Sequence, residues 1–511
     1  MVSKKRALLS LHDLQGIEEI AQSLQQMEWE IIATDETVSR LAAAGITVES
    51  VSDFLSFRDD FGFPPTLHPR IESALTKDVP YRIDLVYDST YPVSCGIDVG
   101  GLTLLALAAK GKRIPCTSLG DMKLVIEHLK RDSEQRRLPD DLQRQLVQKA
   151  FLHISRYYLE VASSDGTCDG MVGTCLYQLF NGENPYQVPA NLYALDTKDP
   201  LSLASFINLG GAAPCFVNIA DLDAIVHAMC IIAEAFRLNG GVIPFIVVAA
   251  KHGNACGIGV DNSDPEKAIE KALYGNPRAI WGGEIICNFA LNGALAKLLF
   301  ESERRKELFN NPYWMLDVIA APDFDDTALQ ILGKKSSRKL LKNSALRTPM
   351  LPKGSYQYRF TRGSFMRQPY PDYIPDFSKL SIPHGQADSA VVSSLIIAWA
   401  AAFSSNHGGN EVALANDNGL FAVGGGPSTV DAARVAVERA RENGHDLKGS
   451  VFAADAFFPF TDAPELLCRA GCSYGIVPSG GKNEETVSEF FRKNNVSVFY
   501  LPSRCRGFIR H

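Results

Sequence analysis

The chain lacks the features that mark several protein classes. Its most apolar internal stretch, residues 395–403, is shorter than the roughly 20 residues a membrane-spanning helix needs. Behind the opening Met1-Val2-Ser3-Lys4-Lys5-Arg6 there is no apolar segment of signal-peptide length. Paired cysteines are missing: the 11 cysteines are odd in number, and Cys468 and Cys472 have no second pair of metal-ligating type beside them. There is no basic excess either, since 51 Lys and Arg face 58 Asp and Glu for a net charge of −7. Such a balance argues against a general nucleic-acid or membrane surface. No repeat of 20 to 50 residues is visible. These absences predict a cytoplasmic protein with reduced thiols, no metal site, no nucleic-acid partner and no membrane segment.

What is present fits a soluble α/β enzyme of two or more domains. Hydrophobic residues make up 46% of the 511 positions and charged residues 21%, enough for sizeable cores. Residues 1–130 alternate short apolar strands with amphipathic helices, as a small α/β unit does. A charged segment with Lys130, Arg131, Asp132, Glu134, Arg136 and Arg137 follows, then helical spacing through Leu142, Leu146 and Phe151. It reads as an exposed helical entry to a second region, residues 150–511, where strands and helices alternate again. The basic run Lys334-Lys335-Ser336-Ser337-Arg338-Lys339 reads as a solvated loop.

The chemistry concentrates at Lys251-His252. An Ile- and Val-rich strand runs into Ala250-Lys251-His252-Gly253-Asn254, delivering a cation and an imidazole to a loop at a sheet edge. A histidine titrates near neutral pH, and a lysine stabilises developing negative charge or protonates a leaving nitrogen. The pair suits acyl or formyl transfer to a weak amine. In isolation it reads better as a surface Lys beside a hydrogen-bonded His.

Six blocks shift that balance. Gly182-Glu183-Asn184-Pro185-Tyr186-Gln187, Phe216-Val217-Asn218-Ile219-Ala220-Asp221, the Lys251-His252 loop, Asp317-Val318-Ile319-Ala320-Ala321-Pro322, Asp455-Ala456-Phe457-Phe458-Pro459-Phe460 and Arg506-Gly507-Phe508-Ile509-Arg510-His511 stand in one order. In that order the chain resembles the bifunctional purine-biosynthesis family that joins aminoimidazole-carboxamide ribonucleotide (AICAR) formyltransferase to inosine-monophosphate cyclohydrolase. The resemblance implies a methylglyoxal-synthase-like N-terminal domain over residues 1–130. It also implies a transformylase region of two cytidine-deaminase-like subdomains over residues 150–511, without the zinc signature of true deaminases. It implies 10-formyltetrahydrofolate as cosubstrate, a small-molecule amine as acceptor and a homodimer whose sites lie at the interface, and it leaves a monovalent cation open. The implied catalytic residues are Lys251, His252 and Asn410; Asn410 also fits a turn after two glycines, but the gap-free match to Val423-Gly424-Gly425-Gly426 downstream favours the functional reading. The implied substrate contacts are Asn184, Gln187, Asn218, Asp317, Arg506 and Phe508. Asp455, Phe457, Phe458 and Pro459 fall on the folate side.

Departures from the family pattern are concentrated at two places. The glycine-rich phosphate loop of the cyclohydrolase reads Thr34-Asp35-Glu36-Thr37 here, and two carboxylates would crowd and repel a phosphate dianion. Pro65 stands before Thr66-Leu67-His68-Pro69 where the family has Lys, and Leu14 also replaces a Lys, whereas Asp13, Gly16, Asp98 and Lys110 survive. The pattern predicts loss of cyclohydrolase activity. Around the acceptor, Phe180-Asn181 replaces Arg-Tyr, Tyr186 a His, Pro427 a Gln and Trp281 a Phe, and an Arg is absent from Ser428-Thr429-Val430-Asp431. Losing these charge-assisted contacts weakens a nucleotide far more than a neutral amine, so the expected acceptor is AICAR or a related amine rather than AICAR alone. A formyltransferase for a non-phosphorylated amine, a 10-formyltetrahydrofolate hydrolase and a non-catalytic folate-binding homologue are the alternatives.

Overall fold

A computed structural model describes residues 4–56, 64–131, 137–195, 197–507 and 509. The α/β class expected from sequence is the class observed. Two compact units divide the chain, residues 1–174 and 175–511.

The first unit runs β1 (Arg6–Leu11), α1 (Ile17–Gln26), β2 (Glu30–Ala33), α2 (Asp35–Ala43), β3 (Glu49–Ser50), α3 (Val51–Leu55), α4 (Pro69–Thr76), β4 (Leu85–Ser89), α5 (Val99–Lys110), β5 (Ile114–Cys116), α6 (Leu119–Arg131) and α7 (Asp140–Ser163). Its five strands are parallel in the order β3-β2-β1-β4-β5. Strand residues such as Leu8 and Leu9 are wholly buried on opposite faces, because helices cover both sides of a parallel sheet. The boundary expected after residue 130 moves. Helix α7 packs on α5 and β5 through Leu142, Leu146 and Ala150, so it belongs to this unit rather than opening the next. Phe151, one position past Ala150, falls off the buried stripe and is exposed.

The second unit contains a hairpin of β6 (Thr174–Leu179) and β7 (Ala190–Ala194), then β8 (Ile207–Gly210) and a fold built twice. The first copy is α8 (Phe216–Gly240), β9 (Phe245–Lys251), β10 (Asn254–Asp261), α9 (Pro265–Gly275), β11 (Gly283–Cys287), α10 (Gly293–Phe300), α11 (Glu303–Phe309), β12 (Leu316–Ala321), α12 (Asp326–Leu332) and β13 (Lys339–Lys342). A hairpin of β14 (Tyr356–Thr361) and β15 (Ser364–Pro369) separates it from the second copy. That copy is α13 (Ser389–Ser404), β16 (Asn410–Asn416), β17 (Gly419–Gly426), α14 (Thr429–Glu442), β18 (Val451–Ala454), α15 (Asp462–Ala470), β19 (Tyr474–Pro478), α16 (Glu484–Lys493) and β20 (Ser497–Leu501). Each is a helix, an antiparallel hairpin, and three parallel strands with helical crossovers. The sheet order β20-β19-β18-β16-β17-β10-β9-β11-β12-β13-β8 joins them edge to edge where Gly259 pairs with Gly419. The duplication escaped the search for short repeats because one copy spans well over 100 residues.

Helices α8 and α13 cover one face and share a core with Met229, Ile232, Leu395 and Trp399 at its centre. By length and composition α8 is apolar enough to cross a membrane, contrary to the sequence reading, and most of it is buried here. Its position explains the composition: a helix packed on both a sheet and another helix has no polar stripe to keep.

Candidate active site

The Lys251-His252 pair sits on the turn of the β9–β10 hairpin, where Lys251 pairs with Asn254. His252 and Gly253 hold φ of 54° and 68°. Two left-handed residues in a two-residue loop form the turn that matches strand twist, and a histidine there carries strain of roughly 1 kcal/mol or more. The strain is opposed from α8: the backbone N–H of His252 donates to Asp221 Oδ2 at 3.0 Å. Lys251 Nζ donates to the carbonyl of Trp281. Gly282 follows at φ 73°, and a Cβ built on it would lie 3.9 Å from both Lys251 Nζ and Asp317 Oδ2. Asp317, expected to touch substrate, thus flanks Gly282 together with Lys251, and it pairs with Lys335, whose Nζ lies 2.8 Å from Oδ1. One residue of the predicted solvated run thus belongs to this cluster.

Behind the hairpin stand acidic groups that sequence reasoning did not assign. Glu284 on β11 is 2% exposed, and burial first, then the adjacent Asp221 carboxyl, push its pKa up. Asn218, expected to touch substrate, is buried; its Nδ2 donates to Glu284 Oε1 at 3.1 Å and its Oδ1 accepts from Cys215 N at the start of α8. Its amide serves the carboxyl and the helix cap.

The second copy closes the site. Asn406 N donates to Asn254 Oδ1 at 2.7 Å, tying the hairpin to the segment before β16. His407 follows, its Nδ1 2.7 Å from Oε2 of the buried Glu411. Gly425 faces them with no room for a side chain, since a Cβ would lie 2.5 Å from His407 Cβ and 2.6 Å from Glu411 Oε1. A cavity of about 340 Å³ is lined by Lys251, His252 and His407 together with Arg278 and Arg439. His407, Glu411, Arg278 and Arg439 carried no local sequence signal. Asn410 begins β16, and its Nδ2 donates to Pro427 O at 3.3 Å.

Asp455, expected on the folate, is 1% exposed. Its Oδ1 accepts from Glu411 N at 2.9 Å while its own N–H donates to Glu411 O at 3.1 Å. In the first copy Asn288 does the same for Ile246, at 2.8 and 3.2 Å. The matched geometry makes Asp455 a strand-end clamp, with a pKa pushed up to about 8, chiefly by burial. Phe458, also expected on the folate side, is 2% exposed and packs against Phe452 and Phe491. Phe457 and Pro459 are half-buried, and the Arg506 guanidinium lies 5.5 Å from the Phe457 ring centre. Asn184 and Gln187 bond each other in an exposed loop, Gln187 Oε1 accepting from Asn184 N and Nδ2. Phe508 lies outside the described residues.

In the first unit, ligands of an open parallel sheet bind beyond the strand C-termini, near where the strand order reverses between β1 and β4. There Asp35 and Glu36 occupy the exposed first turn of α2, beside the helix N-terminus a phosphate would use. Asp98 caps α5, its Oδ1 accepting from Gly101 N at 2.8 Å. Nearby Asp88 is 1% exposed, and burial raises its pKa to about 8.

A family model described as AICARFT/IMPCHase bienzyme matches residues 114–439, more than half of the chain. The chain belongs to this family. Proteins named bifunctional purine biosynthesis protein PurH are similar over 98% of the chain: 27% identity with that of Natranaerobius thermophilus and 29% with that of Pelodictyon phaeoclathratiforme, each covered over 98% of its own length. A solved structure described as "Crystal structure of ForH" matches at 27% identity over 32% of this chain and 100% of its own, with a TM-score of 0.30, too low to support an argument. Membership in the AICARFT/IMPCHase family makes the chain an enzyme of the formyltransferase class, with a reduced folate as the implied formyl donor.

Proposed function

We propose that the second unit transfers a formyl group from 10-formyltetrahydrofolate to the amine of AICAR or a related acceptor, and that the first unit has lost cyclohydrolase activity. The observation that carries the first part is the strained Lys251-His252 turn, opening into a positively lined cavity and braced by Asp221. Strain held by tertiary contacts at exchangeable groups is the mark of a working site. His252 accepts the proton of the attacking amine, and Lys251 stabilises the oxyanion of the tetrahedral intermediate or protonates the departing folate nitrogen. His407, oriented by Glu411, is a second proton carrier in the same cavity. Asn410 supports the reacting groups, and Phe457, Pro459 and Arg506 form the folate side. Asn184 and Gln187 contribute through a homodimer, as the family resemblance implies. Arg278 and Arg439 supply positive charge to offset the cations lost in the sequence departures, which favours an anionic acceptor over a neutral one.

The second part rests on Asp35 and Glu36. At the first turn of α2 their charges take the place of a phosphate, so the nucleotide loses its main anchor.

The test is tetrahydrofolate release from 10-formyltetrahydrofolate, given with AICAR, with its non-phosphorylated riboside or with no acceptor. Release with AICAR, reduced at least ~100-fold by Lys251→Ala, supports the reading. Release without acceptor identifies a hydrolase. Undiminished release from both Lys251→Ala and His252→Ala refutes the site.

A further inference from the structure

The largest cavity described in the first unit lies at the end of the sheet opposite to the cyclohydrolase position. It encloses about 750 Å³ at the N-terminal ends of β1, β2, β4 and β5, against the first half of α7. That volume is typical of small-molecule sites. Its charge is unlike the rest of the molecule. Lys5, Arg82, Lys112, Arg113, Arg137 and Arg144 line it against only Asp84 and Asp140, in a chain whose net charge is −7.

The cations come from separate elements and converge. Lys5 precedes β1, Arg82 precedes β4, Lys112 and Arg113 form the turn between α5 and β5, and Arg144 lies on α7. Asp84 is already used: its Oδ1 lies 2.6 Å from Arg82 and its Oδ2 accepts from Arg6 N. Arg113 is fixed, its Nε and Nη2 donating to the carbonyls of Leu75 and Lys77, both at 2.8 Å. Burial first, and then the neighbouring Arg82, lower the pKa of Arg113, against the opposing pull of Asp84 and Asp78. The side chains of Lys112 and Arg144 form no ion pair or hydrogen bond among the described residues. Lys112 holds a positive φ of 58°, a strained turn that presents its side chain here.

We propose that this cavity binds a small polyanion carrying phosphate groups, held by Lys112 and Arg144 with Arg113 as a fixed floor. Six cations against two carboxylates leave the lining at +4, or +3 once Asp78, which also pairs with Arg82, is counted, and that calls for more than one negative charge. Guanidinium groups at several angles match phosphate oxygens, and enclosure in one concavity favours a small molecule over a nucleic-acid strand. The proposal is independent of the formyl-transfer site, which lies in the other unit.

Isothermal titration of the full-length protein at physiological salt tests it, with inorganic phosphate, pyrophosphate and ATP as probes. Salt at that level suppresses diffuse surface binding. Saturable binding of pyrophosphate or ATP is expected, weakened about tenfold or more in the double variant Lys112→Glu/Arg144→Glu and unchanged in Lys251→Ala. Both substituted residues are exposed, and the milder Lys112→Gln/Arg144→Gln pair, expected to weaken binding in the same direction, replaces the first if its thermal melt shows misfolding. Absence of saturation with all three probes up to millimolar concentration overturns the proposal. So does binding that the double variants leave unchanged, or binding of a single-stranded RNA oligomer without binding of pyrophosphate or ATP.

Discussion

Replacing Asp455 with Asn tests the clamp geometry quantitatively. Its carboxyl has a pKa raised from 3.8 to about 8 by burial. An acid with a raised folded-state pKa binds its proton more tightly when folded, so its contribution to stability is complete below 3.8 and is lost as pH rises toward 8. Between pH 3.8 and 7 the loss accumulates at ~1.4 kcal/mol per unit, about 4 kcal/mol by pH 7. Asn does not titrate, and Asn288 already makes the same pair of main-chain bonds in the first copy. Asp455→Asn is therefore expected to gain stability over the parent with rising pH: near parity at pH 5 or slightly below it, and ahead by up to ~3 kcal/mol at pH 7 to 8 after loss from imperfect amide geometry. Urea unfolding followed by a probe in the second unit, at pH 5, 6, 7 and 8, measures the difference curve. A flat difference refutes the buried-acid reasoning. Turnover supplies a second, independent test: a clamp predicts formyl transfer within about threefold of the parent, because Asn restores the Glu411 contact, whereas loss of ~100-fold or more makes the carboxyl a ligand of the folate.

His252→Gly is expected to relieve the left-handed strain, keeping stability level or raising it by up to ~1 kcal/mol while abolishing turnover, as paired melting curves and tetrahydrofolate release would show. His407→Gln lowers kcat about tenfold to a hundredfold with little change in KM if His407 carries a proton, and an unchanged kcat removes it from the mechanism. Asp35→Gly/Glu36→Gly clears the first turn of α2, so affinity for inosine monophosphate rises about tenfold or more in calorimetry; no gain would place the block to phosphate elsewhere.

Much of the site was legible where the decisive interactions are local. A β-branched run ending in Lys251-His252-Gly253 specifies a strand and a tight turn, because strand propensity and left-handed freedom belong to neighbouring residues. The carboxylates at Thr34-Asp35-Glu36-Thr37 likewise sit in a helix first turn, which is set by the residues that form it.

What the sequence by itself determined was therefore the α/β class, the Lys251-His252 turn at the end of a strand and the acidic first turn of α2. Only the tertiary structure decided which distant residues meet them. His252 and Asp221 are 31 positions apart, and Asn254 and Asn406 are 152 apart. No periodicity encodes such pairs, which arise when the Gly259–Gly419 join brings two copies of one fold edge to edge. Burial was also decided there. Phe457 and Phe458 are equally apolar in sequence, and alternate directions along an extended chain put one beside Arg506 and the other into the core. The role of Asp455 followed from the same cause: beside Glu411 at a strand end it is a clamp, and its acidity is set by the water that packing removed.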